Sequence, residues 1–254
     1  MEKLAVPRPN HSDAVDQTAA FIKQLLASWH IDHVTQVFML RPHMQLVVGL
    51  TLVSLSAILL AGVVRQKPLV SLLASLAIPL LLIVEFEWFV PVVSSMVTKT
   101  GENIIVHFNV PDASREIILG AHYDSKTDFF DHLERARIYR WIVPFVIAGF
   151  GLSLWTFLGK KYRRLTTALS RRIIITLAFL LVLYWGVIAL AFGGYVFIPD
   201  NRQSEGAIDN GGSVTALLGL ARGIQENKIR LGRSNVTLVF FGGEEVVLQG
   251  ANAY

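Results

Sequence analysis

Four long apolar runs divide this chain, and no other feature restricts its possible folds as much. Leu46 to Val64 carries no charge. Leu69 to about Val93 follows the tight connector Arg65-Gln66-Lys67-Pro68, contains Pro79, and holds Glu85 and Glu87 near its far end. Trp141 to Leu158 and Ile173 to Ile198 complete the set. A helix of about 20 apolar residues spans the hydrocarbon core of a bilayer. One such run fits a buried helix of a soluble protein, but four of them predict transmembrane helices. The composition agrees, since 53% of the 254 residues are hydrophobic and only 17% are charged. Trp141, Trp155, Tyr184, Trp185 and Tyr195 are spread through the last two runs, some near the ends where aromatic rings meet the membrane surface.

The runs pair as two hairpins, 46–93 and 141–198, and each hairpin leaves and returns on one face of a membrane. Segments 1–45, 94–140 and 199–254 are therefore predicted to share one side and to fold as one discontinuous domain. The net charge of +4 is modest. Lys160, Lys161, Arg163, Arg164, Arg171 and Arg172 cluster in one connector, a pattern of contact with a membrane surface rather than with nucleic acid. The same tendency of basic connectors to face the cytosol predicts that the polar segments lie on the non-cytosolic side. Cysteine is absent, so any metal must be held by His, Asp and Glu.

The polar segments alternate between helix and strand. Val15, Ala19, Ile22, Leu25 and Trp29 fall at helical spacing over 12–29, with Ser12 or Asp13 as N-cap. Asn103 to Asn109 and Glu116 to Ala121 are strand-like, with a turn at Pro111-Asp112-Ala113-Ser114 between them. Ser213 to Gln225 reads as an amphipathic helix, and Asn235 to Phe241 as a buried strand. This alternation predicts an α/β domain with a mixed or parallel sheet.

Three clusters at strand ends or helix starts carry chemistry. His122 closes the strand before it, and Asp124, two residues on, faces the same way and can accept the second ring N–H. The plainer reading is a surface His and Asp beside a turn. Asp209 sits in the glycine-rich loop Gly206-Ala207-Ile208-Asp209-Asn210-Gly211-Gly212, where it could cap the following helix or bridge two cations. Glu244 and Glu245 follow a buried strand, where adjacent acids call for a cation or a helix N-terminus. Their plainer role is the acidic first turn of a helix starting near Val246.

The order of these clusters is far more specific than any one alone. GAHYDS, then GAIDNGG opening a helix, then FFGGEE followed by LQGANAY resembles the motifs of the family twenty-eight zinc metallopeptidases, the aminopeptidase and glutamate-carboxypeptidase-like group. The likeness covers 103–125 and 206–254. It implies a three-layer zinc-peptidase-like α/β domain with a mixed sheet, interrupted by the transmembrane hairpins, and a membrane-bound zinc exopeptidase of aminopeptidase type acting on peptides. It further implies that His122 binds one zinc with Asp124 orienting it, that Asp209 bridges two zincs, that Glu245 binds the second, and that Glu244 is the general base.

The resemblance also implies two further ligands, an acid and a His, downstream of Glu245. The chain is accordingly expected to be C-terminally incomplete and inactive alone. His107, Asp128, Asp131, His132, Asp200 and Glu205 are the internal substitutes, without motif support. A metal-free receptor or scaffold domain of this fold is one alternative; cyclase or carboxypeptidase chemistry on amides is another.

Overall fold

In the computed structural model, which describes residues 4–161, 168–198 and 203–254, the chain divides into two compact units. Of the connector basic residues, Arg163 and Arg164 lie outside the described residues, as does Asp200.

The first unit comprises 1–42, 97–127 and 199–254. Its centre is a mixed four-stranded sheet of β1 (Val34–Leu40), β2 (Lys99–Phe108), β3 (Arg115–His122) and β4 (Ser234–Phe241), in the order β1-β2-β4-β3. β2 and β3 are joined through the short 109–114 connection yet do not pair. Strand β4 inserts between them, antiparallel to β2 and parallel to β3. Helices α1 (Asp13–Ser28) and α7 (Gly212–Gln225) lay their apolar stripes on the sheet. Ala19, Ile22 and Leu26 of α1, with Val214, Leu218 and Ala221 of α7, form one core with Ile104, Val106, Leu238 and Phe240. Ser12 caps α1, its hydroxyl accepting from the Ala14 N–H at 3.3 Å, as the sequence predicts. Strand β1 is not foreseen in the sequence. Val34, Val37 and Met39 stay exposed on it, so it lacks the one-sided apolar pattern that marks a half-buried strand, and pairing with β2 defines it.

The second unit comprises 43–96 and 128–198. It holds α2 (Met44–Val64), α3 (Pro68–Leu82), α4 (His132–Tyr139), α5 (Ile142–Lys161) and α6 (Ala168–Gly193). Four of its helical stretches, Met44–Val64, Pro68–Glu87, His132–Lys160 and Leu169–Phe197, are long and apolar enough to cross a membrane. α2 lies close on α6 at Gly49, where a side chain would come within 2.9 Å of the Ala189 Cα. The connector at Arg65-Gln66-Lys67 is tight because Pro68, at the first turn of α3, has no N–H to satisfy.

The second apolar run ends earlier than the expected Val93. Beyond α3 the helix widens over Ile83–Glu87 and then stops. The fully buried Glu85 carboxylate accepts the N–H groups of Val92, Val93 and Ser94 on Oε1, at 2.8, 2.6 and 3.1 Å, and the Ser94 hydroxyl on Oε2 at 2.6 Å. A carboxylate so occupied turns the chain out of its helix. Two of the substitute ligands are also accounted for in this unit: Asp131 forms a capping box with Glu134 at the start of α4, and Asp128 pairs with Arg135.

Candidate metal centre

The parallel pairing of β3 with β4 decides where the chemistry gathers. His122 is in register with Phe241, so the segments leaving both strands emerge side by side at one sheet edge. The Tyr123 N–H still donates to the Phe241 carbonyl at 3.0 Å. The next residues are Asp124 on one side and Gly242-Gly243-Glu244-Glu245 on the other. Gly243 has φ +67°, a left-handed turn that glycine adopts without penalty.

Asp124 is wholly buried and ties the two tips together. Its Oδ1 accepts the Glu244 N–H at 3.2 Å, and its Oδ2 accepts the Glu245 N–H at 2.9 Å and the Asn10 side-chain amide at 2.6 Å. The His122 Nδ1 lies 3.2 Å from the Asp124 carbonyl oxygen and 3.5 Å from its Oδ1. Either acceptor keeps the proton on Nδ1 and turns Nε2 toward the acids. There, Asp209 Oδ1 stands 3.1 Å from Nε2 and Glu244 Oε2 3.6 Å. Ligand atoms of His122, Glu244 and Glu245 all lie within 4.8 Å of one another. The structure thus brings together all five residues singled out in the sequence.

The plainer readings of these residues do not describe the geometry. Asp209 does not cap α7, whose N-terminal Gly211 has no side-chain cap; instead it reaches His122. Glu244 and Glu245 do not open a helix, since the next helix, α8 (Gln249–Ala253), begins only at Gln249. Asp209 is 77% exposed at its side chain, so the cluster opens to solvent.

Electrostatics mark the cluster as short of positive charge. Burial opposes a charge on His122, but the hydrogen bond and charge of Asp124, with Glu244 and Glu245, raise its pKa to about 9. Burial lifts Glu245 to about 7; Lys126 opposes this, and Asp124, Asp209 and Glu244 reinforce it. Burial likewise raises Glu244, against the attraction of His122. Both shifts favour the more positive form of the group, the direction expected of a crowded set of acids around one imidazole. Nitrogen and carboxylate oxygen donors are a normal zinc set, and their crowding and solvent access fit such an ion.

Three further residues hold this arrangement: Arg8 and Asn10, outside the motifs, and Ser125, which closes GAHYDS. Arg8 is fully buried. Its guanidinium donates to the carbonyls of Tyr123 at 2.7 Å, Gly206 at 2.9 Å, Glu205 at 3.1 Å, Val6 at 2.8 Å and also Leu4. It thereby fastens the end of β3 to the loop that carries Asp209. Ser125 reciprocates, accepting the Arg8 N–H at 2.8 Å and donating its own N–H to the Arg8 carbonyl at 3.0 Å. Asn10 completes the shell of Asp124. Gly206, at φ +60°, lies under Ser125, where a Cβ would approach within 2.5 Å. An arginine between two prolines in a polar tail, Pro7-Arg8-Pro9, offers no periodicity from which its burial could be read.

Residues 193–254 match the model of peptidase family M28, a stretch that holds Asp209, Glu244 and Glu245 but not His122. No curated protein and no solved structure matches the chain. The match covers about a quarter of the chain, and over that stretch the chain is similar to peptidase family M28.

Proposed function

We propose that the chain is a membrane-bound, zinc-dependent exopeptidase of the aminopeptidase type, with its site in the first unit. The observation that carries this reading is the seating of Glu244 and Asp209 about one imidazole nitrogen, 3.6 and 3.1 Å from His122 Nε2. His122, Asp209 and Glu245 would hold zinc. When bound, zinc supplies Lewis acidity that polarises the scissile carbonyl and brings the attacking water's pKa toward neutrality.

Within that frame the protein's own groups have distinct tasks. Glu244 takes a proton from the attacking water and returns it to the departing amine. Burial raises its carboxyl above the ordinary carboxylate range, the direction that favours holding the proton between the two steps. Asp124 fixes the His122 tautomer and, through the Glu244 and Glu245 amides, the height of both carboxylates. The peptide specificity follows the motif order described in the sequence. The four apolar stretches support insertion in a bilayer, and the basic connectors of the sequence support a site on the non-cytosolic side.

A Glu244→Gln substitution in the full-length protein tests the reading directly. The variant should keep its zinc and lose turnover on aminoacyl substrates by about 10²- to 10⁴-fold. Unchanged turnover at full zinc occupancy overturns the role of Glu244 and the hydrolytic mechanism with it.

A further inference from the structure

The two short connectors between paired apolar helices, with the helix ends beside them, hold Arg65, Lys67, Lys160, Lys161, Arg163, Arg164, Arg171 and Arg172. No acidic residue occurs from Leu46 to Val84 or from Arg135 to Pro199 to balance them. Like charges crowded beside apolar helices repel one another unless an external anion answers them. Within the second unit, Lys160 and Arg171 come to the rim of one cavity of about 140 Å³, with Gln66 and Ser170 beside them and Val63 and Ile174 as apolar lining.

Both cationic heads are positioned by the carboxyl end of α2. Lys160 Nζ donates to the Gln66 carbonyl at 2.8 Å, and an Arg171 terminal nitrogen donates to the Val64 carbonyl at 3.3 Å. An ammonium has three donors and a guanidinium five, so one carbonyl apiece does not exhaust either. The cavity therefore combines positioned multivalent donors, hydroxyl and amide side chains, and an apolar wall. A phosphodiester with acyl chains below it matches each of these.

We propose that this cavity binds the phosphate of an anionic phospholipid, with Lys160 and Arg171 as its charged contacts. The inference depends on the apolar helices crossing a bilayer and is independent of the peptidase reading.

Native mass spectrometry of the full chain, released from detergent containing equal phosphatidylglycerol and phosphatidylcholine, tests it. The wild-type chain should retain the anionic lipid by about tenfold or more over the zwitterionic one. K160Q/R171Q should bring the two lipids to near parity. R65Q/R172Q removes the same charge from residues that do not line the cavity, and should keep the preference. No preference in the wild type, or equal loss in both double variants, overturns the site in favour of diffuse charge. Millimolar inorganic phosphate should leave the lipid bound; its displacement would assign the cavity to free phosphate and overturn the lipid. If K160Q/R171Q loses its helical circular dichroism, the single K160Q variant decides by the same criterion.

Discussion

His122 shows how much depends on the surroundings of one ring. Its pKa near 9 and that of Glu245 near 7 both lie above their ordinary values. In the metal-free protein each group therefore stabilises the fold at low pH. The contribution of Glu245 is complete below its ordinary carboxylate range and is lost as pH rises through about 7. That of His122 is complete below about 6.5 and is lost as pH rises through about 9. Zinc must displace the same protons. At pH 7 its binding should release roughly one to two protons, and apparent affinity should rise toward pH 9. Titration calorimetry in buffers of different ionisation enthalpy measures the release; zero release would mean these two groups do not bind the metal. Arg8→Met should destabilise the first unit by about 3 kcal/mol, because several buried carbonyls lose their donor together. It should weaken zinc binding too, since the Asp209 loop loses its fastening, whereas a surface change such as Lys228→Met should do neither. Thermal unfolding with and without zinc separates the two effects.

Among the elements, legibility followed how local the cause was. α1 with its Ser12 cap, α7, β4 and the four apolar stretches could be read from periodicity and composition, because their own residues decide them. The mixed sheet was legible as a class, but its order was not. Nothing in residues 103–121 says that β2 and β3 leave a gap for a strand more than a hundred residues later. Likewise, His122, Asp209, Glu244 and Glu245 were legible from their motifs. Arg8 and Asn10 were not, because their burial is created by segments remote in sequence. Glu85 belongs to this group as well. An acid at the end of an apolar run reads as interfacial, whereas the structure uses it to receive three backbone amides and a hydroxyl. Its occupied oxygens suit it to ending a helix rather than passing ions. Glu85→Ala, which strands those amides, should cost about 3 kcal/mol, and Glu85→Gln, which keeps an acceptor and loses the charge, about 1 kcal/mol. Thermal unfolding of the detergent-solubilised protein would show the order; equal effects would mean the amides are satisfied another way.

For the whole molecule, the sheet topology sets a sequence of events. A ribosome delivers His122 before α5 and α6, and Asp209, Glu244 and Glu245 only after them. β2 and β3 must therefore wait, their facing edges unsatisfied, while some hundred residues of mostly apolar chain are made and stowed. Only when β4 slides between them does the sheet close, and the same step carries the two glutamates to the imidazole. Until β4 is in place the two glutamates lie apart from the imidazole, and the most aggregation-prone moment comes just before. A nascent chain halted at Arg233 should leave residues 97–127 open to added protease, and one extended through Tyr254 should protect them.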